Sequence, residues 1–312
     1  MNDSRYEKPL LIAIPCLTLL LAALILVPLA RRFAASAARS RELEGMIAAE
    51  LIVPAAPDEE TAPVVPEPLD DGHWRVLDGR TYYVDDEGHV AVGLKLIDDK
   101  ICYFDQNGVK ASAVGIDVSF YNEDIDWRAV KEYGIDFAII RVGGRGWGSG
   151  YIYDDIRTRE YLREASAAGL KLGVYFYSTA VNAHEAAREA RYALRTVGST
   201  KLDYPVFIDV EYSGDYPKGR SDELSNADRL SVVTAFCETV RSGGFEPGVY
   251  SGQNFFKYSM NYAAVSQYTI WLASYTADNR RPNFSWDYDL WQFTDCGNIK
   301  GISGGVDMDV IF

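Results

Sequence analysis

The chain has 312 residues, 48% of them hydrophobic and 24% charged, which is long enough for one sizeable domain with appendages. A formal net charge of −14 repels phosphate backbones and excludes nucleic acid as an expected partner. Cys16, Cys102, Cys237 and Cys296 form no C-x-x-C pair and only three histidines are present, so neither a disulfide framework nor a metal site is expected.

Leu10 to Ala30 (LLIAIPCLTLLLAALILVPLA) carries no charge. At about 1.5 Å per helical residue it spans roughly 30 Å, the thickness of a bilayer core, so residues 1–32 are expected to anchor the chain in a membrane. Arg31, Arg32, Arg39 and Arg41 follow the span while only Arg5 and Lys8 precede it, a bias that favours a cytoplasmic remainder. The chemistry of the carboxyl-terminal domain requires the opposite: a single-pass protein with its folded part outside, or a secreted one if cleavage follows Ala35-Ser36-Ala37. Residues 33–71 hold a proline- and acid-rich stretch (ELIVPAAPDEETAPVVPEPLDD) that reads as a semi-rigid spacer.

A repeat with a period of 20 residues comes next, within residues 72–112. WRVLDGRTYYVDDEG (74–88) aligns with LKLIDDKICYFDQNG (94–108), matching Asp78 to Asp98, Tyr83 to Tyr103 and Gly88 to Gly108. Each unit predicts a small hairpin turning at Asp-Gly or Asp-Asp, too small to bury a face alone. The units resemble the cell-wall-binding repeats of Gram-positive surface proteins, whose pattern is roughly W-Y-Y-F-D-x-x-G. That resemblance implies a second partner among wall polymers. Thr81 and Ile101 replace the leading Trp, however, which weakens an aromatic cage and favours a structural spacer.

From residue 113 to 312 the pattern alternates buried strands with amphipathic helices. Strands are predicted at 115–120, 137–144, 171–178, 205–211, 247–252, 269–275, 289–294 and 306–312. Helical patterns cover 125–133, 153–169, 183–197 and 226–243, and the last three strands leave little room for more. The fold class is therefore α/β, an incomplete parallel TIM-like barrel. The Gly143-Gly144-Arg145-Gly146 run lacks the Lys-Ser/Thr ending of a phosphate loop and reads as a flexible loop.

Carboxylates interrupt these strands at informative places. Asp209 and Glu211 flank Val210 at the end of an apolar strand, Asp117 lies in the first strand and Asp307 in the last. Side chains at i and i+2 share one face, about 6.6 Å apart at Cα, so both members of the Asp-Val-Glu triplet enter the barrel mouth. Crowding and burial should hold one of them protonated near neutral pH. A neutral acid beside an anion is what glycosidic cleavage requires: a proton for the leaving oxygen and negative charge near an oxocarbenium ion. That chemistry needs no cofactor.

The motifs GIDVSFYNEDIDW (115–127), GVYFY (173–177), FIDVE (207–211) and GVDMDVIF (305–312) resemble, in order, those of glycoside hydrolase family 25. The resemblance implies a (β/α)5(β)3 barrel and retaining cleavage of the β-1,4 bond between N-acetylmuramic acid and N-acetylglucosamine in peptidoglycan. It makes Glu211 the general acid and then base. Asp209 would orient the substrate's 2-acetamido group, Asp117 would serve as nucleophile or electrostatic stabiliser, and Asp307 would orient a neighbour. Phe176 stands where the family often has His. Tyr175, Tyr177, Tyr250, Trp271, Tyr275 and Trp291, near strand ends, are candidate sugar platforms. Two other readings stay open: a non-catalytic wall-binding barrel, and another barrel glycosidase such as a chitinase. Residues 204–211 read Tyr-Pro-Val-Phe-Ile-Asp-Val-Glu and lack the D-x-x-D-x-D-x-E run of chitinases.

Overall fold

The computed structural model describes residues 73–213, 218–276 and 280–312. The expected membrane span at 10–30 and the spacer before residue 72 lie outside the described residues. Among the described residues no helix is long and apolar enough to cross a membrane.

Two hairpins come first, β1 (Trp74–Leu77) with β2 (Arg80–Tyr83) and β3 (Gly93–Ile97) with β4 (Lys100–Phe104). Both turn through residues with positive φ, Asp78-Gly79 and Asp98-Asp99, the turn type whose twist suits an antiparallel pair. The second hairpin is cemented to the carboxyl-terminal strands of the chain. Tyr103 is fully buried, with its ring 5.1 Å from Phe293 and 5.8 Å from both Trp291 and Phe312. Burying a side chain of this size contributes about 1.5–3 kcal/mol.

Eight strands close a barrel: β5 (Ala113–Val118), β6 (Phe137–Arg145), β8 (Lys171–Tyr177), β9 (Val206–Asp209), β10 (Pro247–Gly252), β11 (Thr269–Ala273), β12 (Leu290–Gly297) and β13 (Val306–Ile311). Closure is made by β5, which pairs with β6 on one side and β13 on the other. The predicted strands agree within a few residues, with one correction to the expectation of a parallel barrel. The strand β13 runs antiparallel to both neighbours, because the eight residues 298–305 are too few for a crossover. Helices α1 (Trp127–Glu132), α2 (Thr158–Ala167), α3 (Ala183–Val197), α4 (Asn226–Ser242), α5 (Gln253–Tyr258) and α6 (Tyr262–Val265) cover the outside. Asp126, Asn182 and Ser225 cap three of them by accepting a backbone N–H. The helix expected from residue 153 starts later, since Ile152–Asp154 forms β7, a short strand antiparallel to the end of β6.

The barrel interior is packed in layers. Ala113, Phe137, Ile139, Phe207, Trp271 and Leu290 fill the lower part. Gly115 makes room for this filling: a Cβ there would fall 2.2 Å from the Phe137 ring. Above this plug the inward positions turn polar.

Candidate active site

At the carboxyl ends of the strands a groove of about 370 Å³ opens over the aromatic plug. Asp117, Asp209, Glu211 and Asp307, singled out from the ends of three separate strands, all line it. The register explains the convergence: Asp117 pairs with Asp307 across β5 and β13, and Asp209 lies between Tyr177 and Tyr250. The strand β9 stops at Asp209, but its neighbours keep the chain engaged beyond it. Val210 donates its N–H to the Tyr250 carbonyl (3.2 Å), and Ser251 Oγ donates to the Val210 carbonyl (2.6 Å). Glu211 therefore joins Asp209 at the groove, as the i and i+2 spacing requires.

The acids differ in setting. Asp117 and Asp209 are buried, Asp307 is half-buried and Glu211 stands exposed at the rim. Burial is the first cause that pushes Asp209 well above the ordinary carboxylate range; the Glu211 charge adds to it and the Arg141 guanidinium opposes it. Asp117 is pushed up by burial, then by the charges of Asp309 and Asp307, against a hydrogen bond from Gln292. Asp307 rises to about 6, again through burial first. Glu211 is raised less dramatically: surrounding protein partly desolvates its carboxyl although the residue meets solvent, and Asp307 repels its charge. Burial and mutual repulsion at the mouth thus favour the protonated form of these carboxyls, the form in which a carboxyl acts as an acid.

Polar partners fix some of these groups and leave others open. Gln292 Nε2 donates to Asp117 Oδ2 (2.6 Å), while Gln292 Oε1 accepts the hydroxyls of Tyr250 (2.9 Å) and Tyr275 (2.7 Å). Asp209 Oδ1 and Arg141 Nη2 are buried without a hydrogen-bond partner, so a ligand in the groove would find both an acceptor and a donor waiting. Arg141 Nε is held by Asp155 (2.9 Å), with Phe120 and Tyr121 about its guanidinium.

Aromatic side chains form the walls, though not all those expected. Tyr175, Tyr177 and Tyr250 line the groove and are partly exposed. Trp271 reaches the groove only as its floor; it is 1% exposed, wedged among Phe207, Tyr175 and Tyr250, and offers no free face to a sugar. Trp291 is a correction. It is fully buried on the outer side of the sheet between Tyr103 and Phe293, because it has the opposite parity to the inward Gln292. Phe176, by the same parity, packs outward on Tyr192 and Phe236 and leaves the groove untouched.

The sequence reading missed Tyr121, Trp147, Tyr153 and Tyr212, all groove-lining and exposed, together with Arg141, Gln292 and Asp309. Asp309 carries a readable signal, since it shares the inward parity of Asp307 on the same strand, whereas Gln292 has the parity opposite to Trp291, the residue singled out on its strand. Tyr153 lies close against β6 because Gly144 has no side chain; a Cβ there would meet the tyrosine oxygen at 2.4 Å. The Gly143–Gly146 run is not a loose loop. Arg145 is buried, donating from Nε to Glu189 (2.5 Å) and from Nη1 to the Gly150 carbonyl (2.6 Å). Arg220 pairs through both outer nitrogens with Glu185 and donates its backbone N–H to the Trp147 carbonyl. Trp147 is thereby carried on an anchored turn.

Away from the groove, Asp85, Glu87 and His89 bring ligand-type atoms within 4.8 Å of one another. They are exposed, and Asp85 Oδ1 already accepts the N–H of Glu87 and His89, which makes this a turn rather than a metal centre.

The family model described as glycosyl hydrolases family 25 matches residues 116–302. The chain belongs to this family. Among its relatives, the autolytic lysozyme of Clostridium acetobutylicum is 31% identical over 196 residues, 62% of this chain and 54% of that protein. The chain thus spans about half the length of that relative. Lysozyme M1 of Streptomyces globisporus is 27% identical, over 85% of this chain and 87% of its own. The uncharacterized protein YegX of Escherichia coli K12 is 30% identical, over 69% and 78%. In fold, the family 25 barrel matches the modular autolysin LytC from Streptococcus pneumoniae, with a TM-score of 0.58 at 24% identity over 77% of this chain and 58% of that one. It also matches a bacterial lysozyme from Streptomyces coelicolor, with a TM-score of 0.53 at 21% identity over 64% and 91%.

Proposed function

We propose that this family 25 protein is an N-acetylmuramidase that cuts the β-1,4 bond between N-acetylmuramic acid and N-acetylglucosamine in peptidoglycan, with retention. The observation that carries the reading is the Asp209–Glu211 pair, opening together into a tyrosine-walled groove with Asp209 Oδ1 unpartnered. Two relatives named as lysozymes support it.

Glu211 is the only one of the four acids exposed at the rim, and among the described residues no hydrogen bond or ion pair holds its carboxyl. It is free to meet a glycosidic oxygen, donate a proton to the leaving sugar, and then take one from water. Asp209, sunk beside it, has an acceptor oxygen ready for the N–H of a 2-acetamido group, whose carbonyl oxygen would attack the anomeric carbon. Asp117, held by Gln292, supplies negative charge opposite, and Asp307 orients it across the β5–β13 pair. The partly exposed Tyr175, Tyr177 and Tyr250 line the sugar path, with Trp271 beneath them.

The organisation expected from the sequence completes the proposal. Residues 1–32 anchor the protein in the cell membrane, 33–71 space it from the bilayer, 72–112 brace the barrel and 113–312 carry the reaction outside, facing the wall. The burial of Tyr103 and Phe104 favours bracing over wall-polymer binding for the second hairpin. Mass spectrometry of digested peptidoglycan tests the reaction. New reducing ends on N-acetylmuramic acid are expected, and reducing N-acetylglucosamine, or no new ends, would refute it. Protease added to intact protoplasts tests the topology, and protection of the barrel would place it inside.

A further inference from the structure

Of the six tryptophans in the chain, five pack against another aromatic ring: Trp74 on Tyr83, Trp127 on Tyr161, Trp271 on Tyr250, Trp286 on Tyr262 and Trp291 on Phe293. Trp147 is the exception. It lines the groove and is 44% exposed, and among the described residues its ring meets no other ring and its indole N–H no acceptor. An indole combines a broad apolar face with one polar handle. That pairing suits a pyranose, whose C–H face is apolar and whose edge carries hydroxyls.

The place of this ring is built by the chain around it. Trp147 sits in the turn between β6 and β7, which Gly146 closes by donating to the Tyr151 carbonyl (2.9 Å) and accepting from Gly150 (2.8 Å). Arg145 fastens the base of the turn, from Nη1 to the Gly150 carbonyl (2.6 Å) and from Nε to Glu189 on α3 (2.5 Å). The other oxygen of Glu189 accepts from Ser178 Oγ (2.6 Å). On the far side Arg220 donates its backbone N–H to the Trp147 carbonyl (3.0 Å). Its guanidinium forks onto Glu185 of α3 (2.6 and 3.0 Å) and donates to the Thr179 carbonyl (3.1 Å). Arg220 comes from the loop that follows Glu211, where Asp222 accepts the N–H groups of Ser213 (3.0 Å) and Gly219 (2.6 Å). Trp147 is thereby tied to the segment that carries the rim acid. Gly144 pairs with Tyr177, and Tyr177 with Asp209, so Trp147, three residues past Gly144, stands outward of the acids.

We propose that Trp147 is a substrate-binding residue that stacks on a pyranose of the glycan strand outward of the bond being cut, and that Arg220 is its positioning residue. The identity of the sugar rests on the muramidase reading.

Steady-state cleavage of a soluble tetrasaccharide of alternating N-acetylglucosamine and N-acetylmuramic acid tests both halves. Trp147→Ala should raise KM about tenfold with kcat within about twofold, whereas Trp147→Tyr keeps a flat ring and should stay within about threefold of the wild-type KM. Arg220→Ala keeps the backbone N–H but unties it from α3; it should raise KM about threefold alone and not at all on top of Trp147→Ala. An unmoved KM in Trp147→Ala would overturn the stacking role, and additive losses the positioning role. Fluorescence reads the ring itself. In a Glu211→Gln background the tetrasaccharide should change the indole emission, and Trp147→Phe should abolish that change while calorimetry still records binding. An equal change in both proteins, or none in either, would overturn the proposal. A wild-type protein that leaves the tetrasaccharide intact would refute the hydrolase reading instead, with the emission change still deciding the role of Trp147.

Discussion

The two ends of the barrel both carry aspartates, and they treat them in opposite ways. At the amino-terminal end Asp136, Asp203 and Asp289 each accept a backbone N–H that begins a neighbouring strand: Val114 at 3.1 Å, Leu172 at 3.3 Å and Ile270 at 2.7 Å. These acids tie loops to strands. At the carboxyl end Asp209 and Asp309 each leave a buried oxygen without a donor, and Glu211 is held by nothing among the described residues. Volume points the wrong way, since the cleft at the amino-terminal end encloses about 1140 Å³ against about 370 Å³ at the mouth. The proposed chemistry rests on the carboxylates whose needs the fold leaves unmet, not on the larger space.

The sharpest way to break this contrast is to neutralise one acid at each end. Glu211→Gln should lower peptidoglycan clearing about 10²- to 10⁴-fold, the range for loss of a general acid, without lowering Tm. Asp289→Ala should do the reverse, leaving turnover within about twofold while costing about 1–3 kcal/mol in denaturant unfolding, because the Ile270 N–H loses its acceptor. If the two variants exchanged phenotypes, the division between the ends would fail.

Between these lies the second hairpin, whose fastening is apolar. Tyr103→Ala should cost about 3–5 kcal/mol, the range for emptying a large aromatic site, and leave KM for glycan unchanged. Full stability in that variant would show that the hairpin does not brace the barrel.

The smallest effect is a slope. Asp307 is raised from its ordinary 3.8 to about 6, so the folded state holds this proton more tightly than the unfolded chain. Its contribution to stability is complete below the unfolded value and is lost as pH rises through the folded one. Wild-type Tm should therefore decline across pH 4 to 6 more steeply than that of Asp307→Asn. A steeper decline in the variant would reverse the sign assigned to the mouth.

Much of this was legible in the chain itself. Apolar runs of strand length, broken by helical periods, located all eight barrel strands, and acids interrupting such runs marked Asp117, Asp209, Glu211 and Asp307. Period-two alternation tells which residues share a face, but not which face is inside or how deep each lies. Trp291 and Gln292 look equally suited to a rim, yet one fills the outer core and the other donates a hydrogen bond to Asp117 in the groove. Trp271 has the inward parity and sits too low for a sugar to stack on it. Arg141, within the apolar run FAIIRVGG, resembles a solvated strand residue until Asp155 and Phe120 are seen around it. The direction of the last strand depended on loop length, and eight residues decided it.

The reversed direction of β13 also governs where the chain enters and leaves the barrel. Ser112 donates its backbone N–H to the Ile311 carbonyl at 2.7 Å, so both crossings sit side by side on the face opposite the groove. A short artificial linker could join them and new ends be opened in a distant surface loop, giving a circularly permuted enzyme. A fluorescent protein or surface tether fused after Phe312 would, by the same geometry, hang below the barrel and leave the path of a long polymer clear.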